Sequence, residues 1–267
     1  MYTVLSLTAP GLAERTRPGH FLNIGIGGEE SALLLRRAFA IYQVQSRGVY
    51  GGSVDIVIGP HGKGTKWLVD RRRHDNLSIV GPLGRPFTLP KNPANCILVG
   101  GGYGTAPLFM LADQLRERGC RVDVIAGAAT EEKLFGTLEI KRAASTLTVT
   151  TDDGSMGTQG RVTDVLEDVI QRSSADVIYA CGPMAMLSAV AGIAAARGVY
   201  VQTSVEESMA CGIGVCMTCV LPVIGEDGLT RMVRSCVDGP VFRGDQVRWA
   251  DVGTIPSDAV GAPQGGN

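Results

Sequence analysis

The chain opens on a strand-like pattern. Tyr2-Thr3-Val4-Leu5-Ser6-Leu7 alternates like a strand, with polar Thr3 and Ser6 set among apolar neighbours. Because that strand begins at once, a further strand upstream of this start is expected. Short apolar or β-branched runs recur at 21–26, 39–45, 54–58 and 77–80, separated by Gly and Pro, so the first ninety residues are read as all-β and as a small barrel. From Ala94 the rhythm changes. A four-residue apolar run, 96–99, leads through a glycine-rich turn into a helical pattern at 108–118, which Gly119 ends, and the next strand follows at 121–126. Strand, turn, helix and strand form a βαβ unit and imply a parallel sheet. Strands at 147–150, 176–180 and 199–201, with helices at 163–172 and 184–197, extend it. The predicted fold class is therefore multi-domain β plus α/β: an antiparallel β-barrel (1–90), a parallel-sheet domain (91–203), a small cysteine-bearing appendage (204–250) and a disordered Gly/Pro/Ala-rich tail (251–267).

Composition narrows the function classes without naming one. With 25 Lys+Arg against 26 Asp+Glu the chain is nearly neutral, which gives no footprint for nucleic acid. No apolar run reaches the length of a membrane span and no secretory leader pattern opens the chain, so a cytoplasmic protein is expected. Neither a Ser/His/Asp set nor paired carboxylates stand out, which leaves hydrolysis without support.

The strongest chemical signal is Cys211-Gly212-Ile213-Gly214-Val215-Cys216-Met217-Thr218-Cys219, followed by Cys236. C-x4-C-x2-C with a distant fourth cysteine is the plant-type spacing for a [2Fe–2S] cluster, a one-electron carrier. Gly212 and Gly214 let a short loop turn its amides toward sulfur. Three other readings compete. A disulfide set fits poorly with seven cysteines, an odd number. Buried structural thiols fit poorly with a glycine-rich loop. Zinc is the serious rival, because four thiolates also make a closed tetrahedral site, although zinc knuckles usually come as two short pairs. The three histidines, His20, His61 and His74, lie far from the cysteines in sequence and are read as surface or loop residues, which also argues against a Rieske centre.

Two further turns carry ligand chemistry. Gly100, Gly101, Gly102, Gly104 and Thr105 sit between the first parallel strand and its helix, where free amides and the helix dipole favour a dinucleotide's pyrophosphate. Any tight βα turn can be Gly-rich, so this signal is moderate alone. Cys181-Gly182-Pro183 makes a second such turn on the same edge of the sheet, with Cys181 placed to approach a nicotinamide.

Together these motifs resemble the ferredoxin–NADP reductase superfamily. Within it, Glu206-Glu207-Ser208-Met209-Ala210-Cys211 and the closing Cys236-Val237-Asp238-Gly239-Pro240-Val241-Phe242, with Thr151-Asp152-Asp153-Gly154-Ser155, Gly157 and Gly160, resemble the electron-transfer subunits of class 1B dihydroorotate dehydrogenase. The resemblance implies FAD in the barrel, NAD on the parallel sheet and a [2Fe–2S] cluster on Cys211, Cys216, Cys219 and Cys236. It places the FAD contacts on Arg37, Ala38, Phe39 and Ala40, on Val57, Ile58 and Gly59, and on Gly64 and Thr65. Ala38 and Ala40 replace a proline and a serine of the family pattern, and Gly59 stands where a basic residue is common. The implied partner is an FMN-containing catalytic subunit, in a two-plus-two heterotetramer. The implied path runs from that FMN through the cluster and FAD to NAD+. NAD is favoured over NADP because Gly127-Ala128-Ala129-Thr130-Glu131-Glu132 offers no arginine for a 2′-phosphate and two acids against it.

Arg37 has an alternative as a solvated arginine beside Arg36. Arg71-Arg72-Arg73-His74 is read as a solvated turn, with a docking patch as its alternative, and Cys96 and Cys120 as buried thiols at strand edges. Another flavin/iron–sulfur reductase, linked to glutamate synthase, ferredoxin or sulfite reductase, stays open. So does a zinc-stabilised module without catalytic activity.

Overall fold

In a computed structural model describing residues 2–28, 32–45 and 51–263, the alternating N-terminal half forms a five-stranded antiparallel sheet. Its strands are β1 (Thr3–Thr8), β2 (Phe21–Ile24), β3 (Arg37–Gln45), β4 (Ser53–Ile58) and β5 (Ile79–Leu83), in the order β1-β4-β3-β2-β5. Both edge strands feed one apolar core: Leu7 of β1 and Ile79 of β5 share it with Leu22, Ile24, Ile41 and Ile56. This half is not wholly β. Helix α1 (Lys63–Val69) follows β4 and plugs the core with Leu68, which is wholly buried. Gly62 starts the helix: its N–H donates to the Thr65 hydroxyl, which returns a bond to the Gly62 carbonyl.

The second half is the expected parallel sheet. Strands β6 (Asn95–Gly101), β7 (Arg121–Ala128), β8 (Thr146–Thr151), β9 (Thr158–Gln159), β10 (Val177–Cys181) and β11 (Tyr200–Ser204) pair in parallel, and β14 (Val241–Arg243) adds to β11 antiparallel. The sheet order is β14-β11-β10-β6-β7-β8-β9. Its central strands read as continuous apolar runs because helices cover both faces. Helices α2 (Pro107–Glu117) and α3 (Thr137–Ala143) lie over one core, with Leu108, Leu111, Leu115 and Ile140 buried. Helices α4 (Val162–Ser173) and α5 (Met184–Ala196) lie over the other, with Leu166, Val169, Leu187 and Val190 buried. β10 sits beside β6, so the two glycine-bearing turns emerge side by side on the carboxyl edge.

The cysteine-bearing segment is more than an appendage. After the loop it forms a hairpin of β12 (Val220–Ile224) and β13 (Thr230–Arg234), and then β14 joins the main sheet. Leu221 and Val247 share the core beneath β6 and β10. The expected disordered tail is also corrected as far as Gly261. The Val260 N–H donates to the Thr230 carbonyl at 2.8 Å, Ala259 is buried, and Asp258 pairs with Arg248 at 2.6 Å. An aspartate and two apolar residues spaced within the Gly/Pro run supply that anchoring. Residues 264–267 of the tail lie outside the described residues. Among the described residues no helix is long and apolar enough to cross a membrane.

Candidate functional site

Two cavities meet on the carboxyl edge of the parallel sheet. One, of about 570 Å³, lies between that edge and the antiparallel sheet. Arg37, Ala38, Phe39 and Ala40 from the start of β3, Val57 and Gly59 from the end of β4, and Gly64 and Thr65 from α1 all wall it. Ile58 does not. Side chains alternate along β4, so Ile58 points with Ile56 into the barrel core and is wholly buried there. Gly64 packs against Ile26, which a Cβ there would press at 3.0 Å, and Arg37 Nε lies 3.9 Å from the same point. The Arg37 guanidinium donates to the carbonyls of Leu35 and Arg36, which fixes the fork at the cavity wall. A bare backbone beside a fixed guanidinium suits a diphosphate. The cavity has the size of a cofactor site, and these residues fit a flavin dinucleotide.

The second cavity, of about 760 Å³, runs over the sheet edge. Gly101, Gly102 and Pro183 wall it, whereas Gly104 and Cys181 wall the first cavity. Gly100, Thr105 and Gly182 wall neither. They pack the two turns together: a Cβ on Gly104 would lie 2.8 Å from Gly182 Cα, and one on Gly100 would lie 2.8 Å from Thr105 Cα. The Thr105 hydroxyl is spent on the Gly102 carbonyl at 2.9 Å. Cys181 is buried, and burial pushes its thiol up to about 12, which leaves it no nucleophile.

Sequence reasoning missed several wall residues. Thr150, wholly buried at the end of β8, has a hydroxyl without a partner and walls the larger cavity. An orphaned buried hydroxyl on a concave wall fits a polar ligand such as a nucleotide. Asp152, Lys133 and Arg161 also reach this wall. The Gly127–Glu132 stretch itself offers no arginine, but Arg161, 28 residues beyond Lys133 and at the start of α4, is brought to the same wall by the fold. Gly59, His61, Tyr103 and Glu206 wall both cavities, so they form the junction. The His61 ring folds back over Gly59, at 2.8 Å from where a Cβ on that glycine would stand. Glu206 is exposed to the open junction, yet the protein packed around its carboxyl raises its pKa.

The four cysteines come as two pairs. Cys211 and Cys216 interact at the surface, and Cys219 and Cys236 interact in the interior. Two backbone-directed bonds from Ser235, its N–H at 2.9 Å and its hydroxyl at 2.8 Å, hold the Cys219 carbonyl and so bring Cys236 beside Cys219. Gly212 and Gly214, at φ +71° and +83°, let the loop coil so that the N–H groups of Ile213, Val215 and Cys216 all aim at Cys211 Sγ, at 3.5, 3.3 and 3.4 Å. Burial pushes the Cys211 thiol up, but these donors outweigh it and hold it at about 6. The Thr218 hydroxyl lowers Cys216, 3.2 Å away. Burial and Cys219 push Cys236 up to about 12. Among the described residues no three His, Cys, Asp or Glu side chains converge on one metal ion. Two thiol pairs flanked by amide donors fit a cluster of two irons, two thiolates to each, better than a single zinc.

Residues 206–248 match the family "Iron-sulfur cluster binding domain of dihydroorotate dehydrogenase B", and residues 98–192 match "Oxidoreductase NAD-binding domain". The dihydroorotate dehydrogenase B (NAD(+)) electron transfer subunit of Geobacillus thermodenitrificans is 40% identical over 245 residues, 91% of each chain. The chain belongs to the dihydroorotate dehydrogenase B electron-transfer subunit family. The Desulforamulus reducens member is 32% identical over 92% of each chain. Among solved structures, a chain of the NADH-dependent reduced ferredoxin-NADP oxidoreductase matches this family member with TM-score 0.80 and 31% identity, over 94% of this chain and 86% of that one. The ferredoxin reductase of carbazole 1,9a-dioxygenase shares the fold at TM-score 0.59 and 22% identity, over 74% and 61%.

Proposed function

We propose that this chain is the electron-transfer subunit of an NAD-dependent dihydroorotate dehydrogenase in pyrimidine synthesis, working beside a separate FMN-containing catalytic subunit. One observation carries the reading: a thiol-pair site, a flavin-sized cavity and a nucleotide-sized cavity lie in sequence and in contact. Phe21 packs with Cys219 and Cys236 and also walls the flavin cavity, and Gly59, His61, Tyr103 and Glu206 join that cavity to the next. A bound cluster and flavin would supply the conversion between single-electron transfer and hydride transfer. The protein's own residues bind and orient. Cys211, Cys216, Cys219 and Cys236 hold the cluster. Arg37, Gly64 and Thr65 hold the flavin diphosphate, and Gly101, Gly102 and Pro183 hold the nicotinamide dinucleotide. The Cys211/Cys216 pair lies at the surface among exposed apolar side chains of Ile213, Val215 and Met217, a patch suited to the catalytic partner. A two-plus-two assembly and a cytoplasmic location complete the proposal; among the described residues every cysteine is free of disulfides, as a reducing compartment favours.

The similarity to the ferredoxin-NADP oxidoreductase chain favours a second reading, a reductase subunit exchanging electrons between NAD and another iron–sulfur partner. The two separate by donor. Purified protein should carry flavin bands above broad cluster absorption, and adding an FMN-containing dihydroorotate oxidase should let dihydroorotate reduce NAD+ faster than that oxidase does alone. No acceleration with dihydroorotate, but reduction of NAD+ from a ferredoxin-type donor, favours the second reading. A colourless protein holding one zinc rejects both.

A further inference from the structure

We propose that Asn23 is a positioning residue for the cluster loop, holding the Cys211 peptide by its side-chain amide and thereby setting the cluster's potential; this rests on the cluster reading above. Asn23 lies in β2, two residues beyond Phe21 and on the same face of the strand, and it is wholly buried. Its Nδ2 donates to the Cys211 carbonyl at 2.6 Å, a contact across 188 residues of sequence. Gly212 makes room for it: a Cβ there would stand 2.5 Å from Asn23 Nδ2. A peptide unit is planar, so fixing that carbonyl fixes the 211–212 plane and the start of the turn. The same turn aims three N–H groups at Cys211 Sγ.

The other half of the amide tells against a stabilising role. Asn23 Oδ1 is buried and has no partner. Leucine here would remove that orphaned acceptor but would also strip the part-buried Cys211 carbonyl of its donor, so the two effects on stability oppose each other. What leucine at this position could not do is hold the carbonyl. N–H groups aimed at cluster sulfur favour the reduced, more negative state and raise its potential. Freeing the Cys211 peptide lets those donors drift, so the potential falls.

The test compares N23L with N23H, which can keep a donor, in full-length protein loaded with FAD and cluster. Redox titration followed by electron paramagnetic resonance gives the cluster's midpoint, and thermal melting gives stability. N23L should keep its FAD and melt close to wild type, yet show a more negative midpoint and altered resonance lines, with N23H nearer to wild type. If N23L loses its iron while keeping FAD, and N23H keeps both, the donor is again what matters. An unchanged midpoint in N23L overturns the proposal. So do equal loss of iron in both variants, or a drop in melting temperature that the two share. These readouts need no dihydroorotate-oxidising partner, so their failure is distinct from failure of the pathway assignment. Wild-type protein without cluster absorption would instead overturn the functional reading beneath it.

Discussion

Phe21 and Cys219 pack in one small apolar cluster with Cys236, and of its buried members Phe21 alone also walls the flavin cavity. Phe21, together with the half-buried Met209, thus stands between the inner thiol pair and that cavity, while the outer pair reaches the surface. The arrangement has a direction: the buried end of the proposed cluster site faces the cavity proposed for the flavin, and the other end is open to solvent.

Replacing Phe21 tests that barrier. The ring is almost wholly buried, so Phe21→Ala should cost about 3–5 kcal/mol of stability. It should also open a route for oxygen to the inner cysteines, and visible cluster absorption should bleach faster in air. Phe21→Leu keeps most of the apolar volume and should lose less on both counts. An Ala variant that is destabilised but bleaches at the wild-type rate would show that Phe21 only fills space.

Arg37 offers a cleaner separation of cofactors. Its guanidinium is held at the flavin cavity by two backbone carbonyls and lies far along the chain from the cysteines. Arg37→Gln removes a charge-assisted contact worth about 1.5–3 kcal/mol, so the Kd for FAD should rise roughly ten- to a hundred-fold, read from flavin fluorescence. Iron content should stay at the wild-type level. An unchanged FAD affinity would return Arg37 to the role of a solvated surface arginine.

Much of this was legible in the sequence where the signal was local. The cysteine spacing, the two glycine-bearing turns and the first-half strands each depend on a few neighbouring residues. Ile58 shows the limit: which face of β4 looks at the cavity depends on register against β1 and β3, which no single strand reveals. Helix α1 escaped because it is seven residues long and begins in a Gly-Lys-Gly stretch that reads as a turn. Arg161 and Thr150 reach the nucleotide cavity only through the order of strands in the sheet. Asn23 did leave a trace, a lone amide inside the apolar run Phe-Leu-Asn-Ile. Its partner, Cys211, lies in another part of the fold.

Glu206 gives a pH-dependent prediction at the junction of the two cavities. Desolvation raises its pKa in the folded protein, and its charge bears on both Tyr103 and Cys181. Below the ordinary glutamate value the carboxyl is protonated in both folded and unfolded chains. Between that value and the raised one, the folded chain keeps a proton that the unfolded chain has released. The folded state then binds more protons, so stability falls as pH rises through this window and levels off above it. Glu206→Gln has no proton to lose, whereas Glu207, also raised by burial, is common to both proteins and cancels in the comparison. Urea midpoints of dinucleotide-free wild type and E206Q, measured between about pH 4 and pH 8, should therefore diverge, with wild type losing ground as pH rises. Parallel curves would mean that water in the open junction solvates the carboxylate fully.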